Sequence, residues 1–102
     1  SIFSKSKKIK DLLNISKAPN LHLTEKLGKP KCLRITMNIS MILKSKKIFL
    51  IINSKKKLKV LMKALQYKDS LKHPVYALFK NAKNRLNIFD SKTLKRIKSV
   101  HY

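Results

Sequence analysis

Apolar and polar positions along this chain change period several times, and each change marks an element. Ile9, Leu12 and Leu13 recur at i, i+3, i+4 at the end of the basic run of residues 5–10, predicting one or two helical turns. Residues 14–31 carry Pro19, Gly28 and Pro30 among scattered polar residues and read mainly as a loop. Leu33, Ile35 and Met37 then alternate with Arg34, Thr36 and Asn38, the pattern of a half-buried strand. Asn38 or Ser40 can cap the short helix that follows. The run Ile48–Ile52 is continuously β-branched, aliphatic and aromatic, as in a parallel strand covered on both faces. About ten residues of helix between these two strands suit a tight right-handed crossover.

Beyond it, Ser54 is placed to cap a second helix. Leu58, Leu61, Met62 and Leu65 form its apolar stripe, with Lys55, Lys56, Lys59 and Lys63 mostly off it. Pro74 suits the first turn of another short helix with Val75, Leu78 and Phe79 as its apolar face. Leu86 and Ile88 alternate with Asn87 in a last short strand that stops near Asp90. The expectation is an α/β fold, a partial three-layer α/β/α arrangement with a mainly parallel sheet, over residues 1–90. Residues 91–102 read as a basic tail.

Composition changes this picture in one respect. The 102 residues hold 26 Lys and Arg against four Asp and Glu, a net charge of +22. Charge of that size points to nucleic acid. Its kind does not: only Arg34, Arg85 and Arg96 are arginine, the residue whose planar fork suits phosphate and base edges. A Lys-, Ile- and Asn-rich chain with one Gly and no Trp reads instead as a product of AT-biased codons, its charge carried on solvated faces. A hydrophobic content of 43% is too high for a disordered basic tail, so part of the chain packs.

Cys32 is the single cysteine, which excludes a disulfide framework and makes a reducing, cytoplasmic compartment the default. No apolar run approaches a membrane span, and residue 1 is not followed by the apolar core of a secretory signal. A chain opening on Ser1 without Met is expected to be a processed or truncated product. With one glycine there is no Walker loop or dinucleotide fingerprint, and Cys32 with His22, His73 and His101 lacks metal-ligand spacing. Tyr67, Tyr76 and Phe79 offer a surface on which bases could stack, but the pattern assigns Phe79 to the core and the tyrosines to half-exposed edges.

The ordered set of segments resembles the C-terminal part of the 6-phosphogluconolactonases, in the superfamily of glucosamine-6-phosphate deaminase/isomerase. Arg34-Ile35-Thr36-Met37 matches that family's R-(I/L)-(T/S)-(L/M) strand. Residues 49–57 match its F-L-L-I-x-G-x-x-K strand and turn, with Ser54 where the family has glycine. Pro74-Val75-Tyr76-Ala77-Leu78-Phe79 matches its P-V-x-x-L-(L/F) helix, the closing strand falls at residues 86–89, and Ser1-Ile2-Phe3 is similar to the S-(L/I)-F after the D-G-H-T-A loop. The spacing holds from residue 1 to about 90.

This resemblance implies hydrolysis of 6-phosphoglucono-1,5-lactone to 6-phosphogluconate in the pentose phosphate pathway, with no metal or organic cofactor. It implies a phosphate-binding role for Lys57, with Arg34 framing the same anionic end. The D-G-H-T-A loop with its acid/base histidine has no counterpart here, and the reaction needs such a group. The isolated chain is therefore expected to be inactive, with a companion chain as the source of the missing half. The competing reading is a basic RNA-binding protein of ribosomal type, gripping RNA through residues 5–10 and 92–98.

Overall fold

Two small sheets and four helices make up the computed structural model, which describes residues 2–93 and 95–97. Helix α1 (Ile9–Leu12) leads to strand β1 (Leu21–Leu23), which pairs antiparallel with β2 (Ile35–Met37). Helix α2 (Ile39–Ile42) connects to β3 (Ile48–Ile52), followed by α3 (Lys55–Tyr67), α4 (Tyr76–Ala82), a 3-10 turn at Lys83–Arg85, β4 (Leu86–Asp90) and β5 (Lys95–Arg96). Strand β3 lies parallel to β4, in register from Ile48↔Leu86 to Ile52↔Asp90, and β5 adds antiparallel to β4.

The domain is thus α/β, but its sheets are mixed, and the expected crossover between β2 and β3 is absent. These strands belong to different sheets. The intervening residues 38–47 fall short of the dozen or so that a parallel return needs, whereas β3 and β4 have residues 53–85 between them. Strand β1 lies inside the stretch expected to be loop. The stretch read as a tail supplies β5, with the Ile97 N–H donating to the Ile88 carbonyl at 2.8 Å.

The core lies between the β3–β4 pair and the two longer helices. Ile48, Ile52, Leu86 and Ile88 point to one side of the sheet and meet Leu61, Phe79 and Ala82, with Leu58 and Leu65 at the margin. Within α3 the buried line runs through Leu61 and Ala64, while Met62, expected on the stripe, is half exposed. The other side of β3 is open: Phe49 is 57% exposed and Ile51 is exposed beside it, so this strand is covered on one face, not two. Phe49 instead meets Phe89 of β4, ring centroids 5.7 Å apart.

Strand β2 is inverted relative to its pattern. Thr36 is the buried side chain at 5% exposure, whereas Ile35 is 69% exposed. Leu21 and Leu23, paired opposite Met37 and Ile35, share that outward apolar face. A polar knot holds the inner side. The buried Asn38 caps α2, its Oδ1 accepting from the Met41 N–H at 3.0 Å and the Asn20 N–H at 3.1 Å. Its Nδ2 donates to the Ala18 carbonyl at 2.9 Å, and the Ser40 hydroxyl donates to the carbonyls of Asn14 and Ile15, both at 3.1 Å.

Candidate functional site

The parallel strands end where α3 begins, and that junction builds the candidate site. After Ile52 the chain turns at Ser54, whose backbone is extended (φ −160°, ψ 157°) and whose Oγ accepts the Lys57 N–H at 3.2 Å. Any residue adopts this conformation without strain, and the serine supplies a helix cap that a glycine would lack. The first turn of α3 is Lys55-Lys56-Lys57 with no acidic residue. Three ammonium groups stand at the end of the helix whose own dipole is positive, which disfavours the helix and concentrates positive potential there.

Beside this turn, Ile52, Ser54, Lys55, Leu58, Asp90, Lys92 and Ile97 line a cavity of about 140 Å³. Its floor is apolar and its rim is charged. Asp90, at the end of β4, is held with Oδ1 accepting the Lys92 N–H at 2.9 Å, and the Ser91 N–H donates to the Ile52 carbonyl at 3.0 Å. The first bond shapes the turn after β4, and the second ties that turn to the carboxyl end of β3. Open α/β sheets take ligands in the crevice at this end of their strands.

Lys57 is exposed in the first turn of α3. Arg34 is elsewhere: it precedes β2, and its guanidinium donates to the carbonyls of Leu27 and Pro30 while lying over the Phe3 ring, 5.3 Å from the centroid. Those contacts fasten the loop from Leu27, which bridges to Cys32. The cavity lined by Lys55 includes neither Arg34 nor Lys57 in its wall.

The histidines are dispersed. His73 stacks on Tyr67, rings 9° from parallel with centroids at 5.9 Å, while His22 lies in β1 beside a second cavity with Asp11 and Asn38. His101 lies outside the described residues. Among the described residues no three His, Cys, Asp or Glu side chains come together. Nor, among them, is any helix long and apolar enough to cross a membrane.

One carboxyl is set by its surroundings. The Ser6 side chain foremost, then its own backbone and the Lys7 N–H, with the Lys8 charge, hold Glu25 below its ordinary value of 4.5 against a smaller effect of burial. Lys8 also donates to the Leu23 carbonyl at 2.7 Å, so this group ties the N-terminal segment to β1. Comparison with protein-family models, with curated proteins and with solved structures returned no match.

Proposed function

We propose that this chain is the phosphate-side part of a 6-phosphogluconolactonase-like protein, with the β3–Ser54–α3 junction as the anion-binding element and Lys57 as its principal cation. The observation that carries this reading is the local build of that junction. A capped turn, an all-lysine first helical turn and the carboxyl ends of two parallel strands converge there. A sugar phosphate places its charge against such a helix start and its polyol over the sheet end.

Arg34, expected to frame the same anionic end, instead fixes the loop that leads into β2 and takes no part in this element. The open apolar faces of β1–β2 and of β3–β4 are the surfaces that a companion segment with the acid/base histidine would cover. The isolated chain then binds the phosphorylated ligand without turning the lactone over.

Isothermal titration with 6-phosphogluconate and with gluconate tests this. The phosphorylated ligand is expected to bind the chain, and Lys57→Ala to weaken it by about tenfold or more, the worth of one charge-assisted contact. Gluconate is expected to bind weakly and indifferently to that substitution. Equal affinity for both ligands would overturn the proposal, as would hydrolysis of the lactone by the chain alone above the spontaneous rate. Tight RNA binding that falls steeply with salt would favour the ribosomal-type reading instead.

A further inference from the structure

A cavity of about 680 Å³ lies away from the β3–α3 junction, between the C-terminal end of α3 and α4. Its volume falls within the range of small-molecule sites, roughly 300–1,000 Å³. Leu65, Phe79 and Tyr76 supply an apolar and aromatic wall, and Lys68, Lys80, Lys83 and Asn84 surround it. No carboxylate takes part in this lining, unlike the two cavities that contain Asp90 or Asp11. Asp69, next in sequence to Lys68, has Oδ1 engaged by the N–H groups of Leu71 at 3.0 Å and Lys72 at 3.4 Å.

Two of those lysines have an unusual backbone. Lys68 ends α3 at φ 53°, ψ 38°, and Lys83 ends α4 at φ 49°, ψ −118°. Among the described residues these are the non-glycine positions with positive φ, and both border this one cavity. Glycine would hold either turn at lower cost, so the chain keeps a cation at two positions where backbone physics favours its removal. The helix C-termini offset part of the charge, but at about −0.5 each they leave three ammonium groups with a net excess of roughly two positive charges.

We propose that this cavity is a second anion site, taking a small phosphorylated molecule with a flat aromatic body, that is, a nucleotide. The aromatic body lies against Tyr76 and Leu65, with the buried Phe79 backing them, and the phosphates meet Lys68, Lys80 and Lys83 as separate point charges. Asn84 adds an amide able to donate or accept at the rim. This site is independent of the sugar-phosphate reading: either can fail while the other stands.

The test is fluorescence titration of the full chain with mant-ADP at physiological salt, with ADP, pyrophosphate and a single-stranded oligonucleotide as competitors. Saturable one-site binding is expected, displaced by ADP much more readily than by pyrophosphate. Lys80→Glu, on an exposed position, and Lys83→Gly, which suits the positive φ, are each expected to raise the Kd by about tenfold or more. Lys59→Ala, outside the cavity, is expected to change it by less than about twofold. Pyrophosphate competing as well as ADP would overturn the proposal, because the aromatic wall would then contribute nothing. Equal losses from Lys59→Ala and Lys80→Glu would reduce the binding to general charge and overturn it too. An oligonucleotide displacing the probe at lower phosphate concentration than ADP would assign the surface to RNA.

Discussion

Gly28 adopts φ 85°, and a Cβ there would meet Arg34 Nη1 at 2.8 Å and Phe3 Cζ at 2.9 Å. Gly28→Ala is therefore expected to cost about 1–2 kcal/mol, mostly for the left-handed backbone, since the two side-chain tips can yield partly. Chemical denaturation measures it, and an unchanged midpoint would contradict the assignment. That loop also shows what a sequence conceals. Arg34 matches a family position, yet its fork meets the carbonyls of its own loop, a pairing fixed by chain folding and not by residue spacing. Glu25 adds a pH dependence of known sign. Its carboxyl is lowered in the folded state, so its contribution is complete above the unfolded value near 4.5 and is lost as pH falls through the folded one. Glu25→Gln is expected to flatten that acid limb of the stability–pH curve and to leave the curve above it parallel to the wild type; an unchanged acid limb would rule this out.

Among the elements, β4 was legible because its burial obeys its period, and α3 was legible as a helix although its buried line shifts to Leu61 and Ala64 and leaves Met62 half exposed. Ser54 caps α3 as its position predicts, and Leu86 and Ile88 are buried as their alternation predicts. Strands β2 and β3 were legible as strands but not in their facing, because alternation says which residues share a side and not whether anything covers it. Strand β1 alternates as β2 does, but its three residues lie between Pro19 and Gly28 in a stretch of turn residues that masked the pattern. The junction was legible through Ser54 and the lysine run, whereas the 680 Å³ cavity was not, since its lysines come from the ends of two helices. The covered and open faces should answer mutation differently. Leu86→Ala removes a side chain with no exposure and is expected to cost about 2–5 kcal/mol, enough to unfold a small domain. Ile51→Thr on the open face is expected to change stability by less than about 1 kcal/mol while reducing binding of a hydrophobic dye. Comparable destabilisation by the two substitutions would mean that the outer face is packed in solution. Reversing charge at the start of α3, as in Lys56→Glu, is expected to stabilise the helix by about 0.5–1 kcal/mol. Thermal melts of the two forms check this; a lower melting temperature for the variant would contradict the electrostatic picture of that turn.

For the molecule as a whole, charge is the dominant fact. A net +22 on a body measuring 33 × 29 × 24 Å is largely unscreened at low ionic strength and opposes the compact state. Among the described residues one ion pair, Lys17–Asp11 at 4.0 Å between exposed side chains, answers it, and such a pair contributes little. Raising the salt from about 10 mM to 150 mM shortens the Debye length from about 30 to 8 Å, and is expected to raise the melting temperature by about 5 °C or more. On the reading proposed above, the same charge that lowers stability would draw phosphate to the β3–α3 junction, where helix dipole and lysines act together. On that reading the junction, and Lys57 in it, selects a sugar phosphate. The most direct test is an NMR titration of the isotope-labelled chain with 6-phosphogluconate at physiological salt. The account predicts amide shifts concentrated at residues 54–58 and 90–92, and their loss in Lys57→Glu. Shifts spread evenly over the lysines of every element, or unaltered by that substitution, would contradict it.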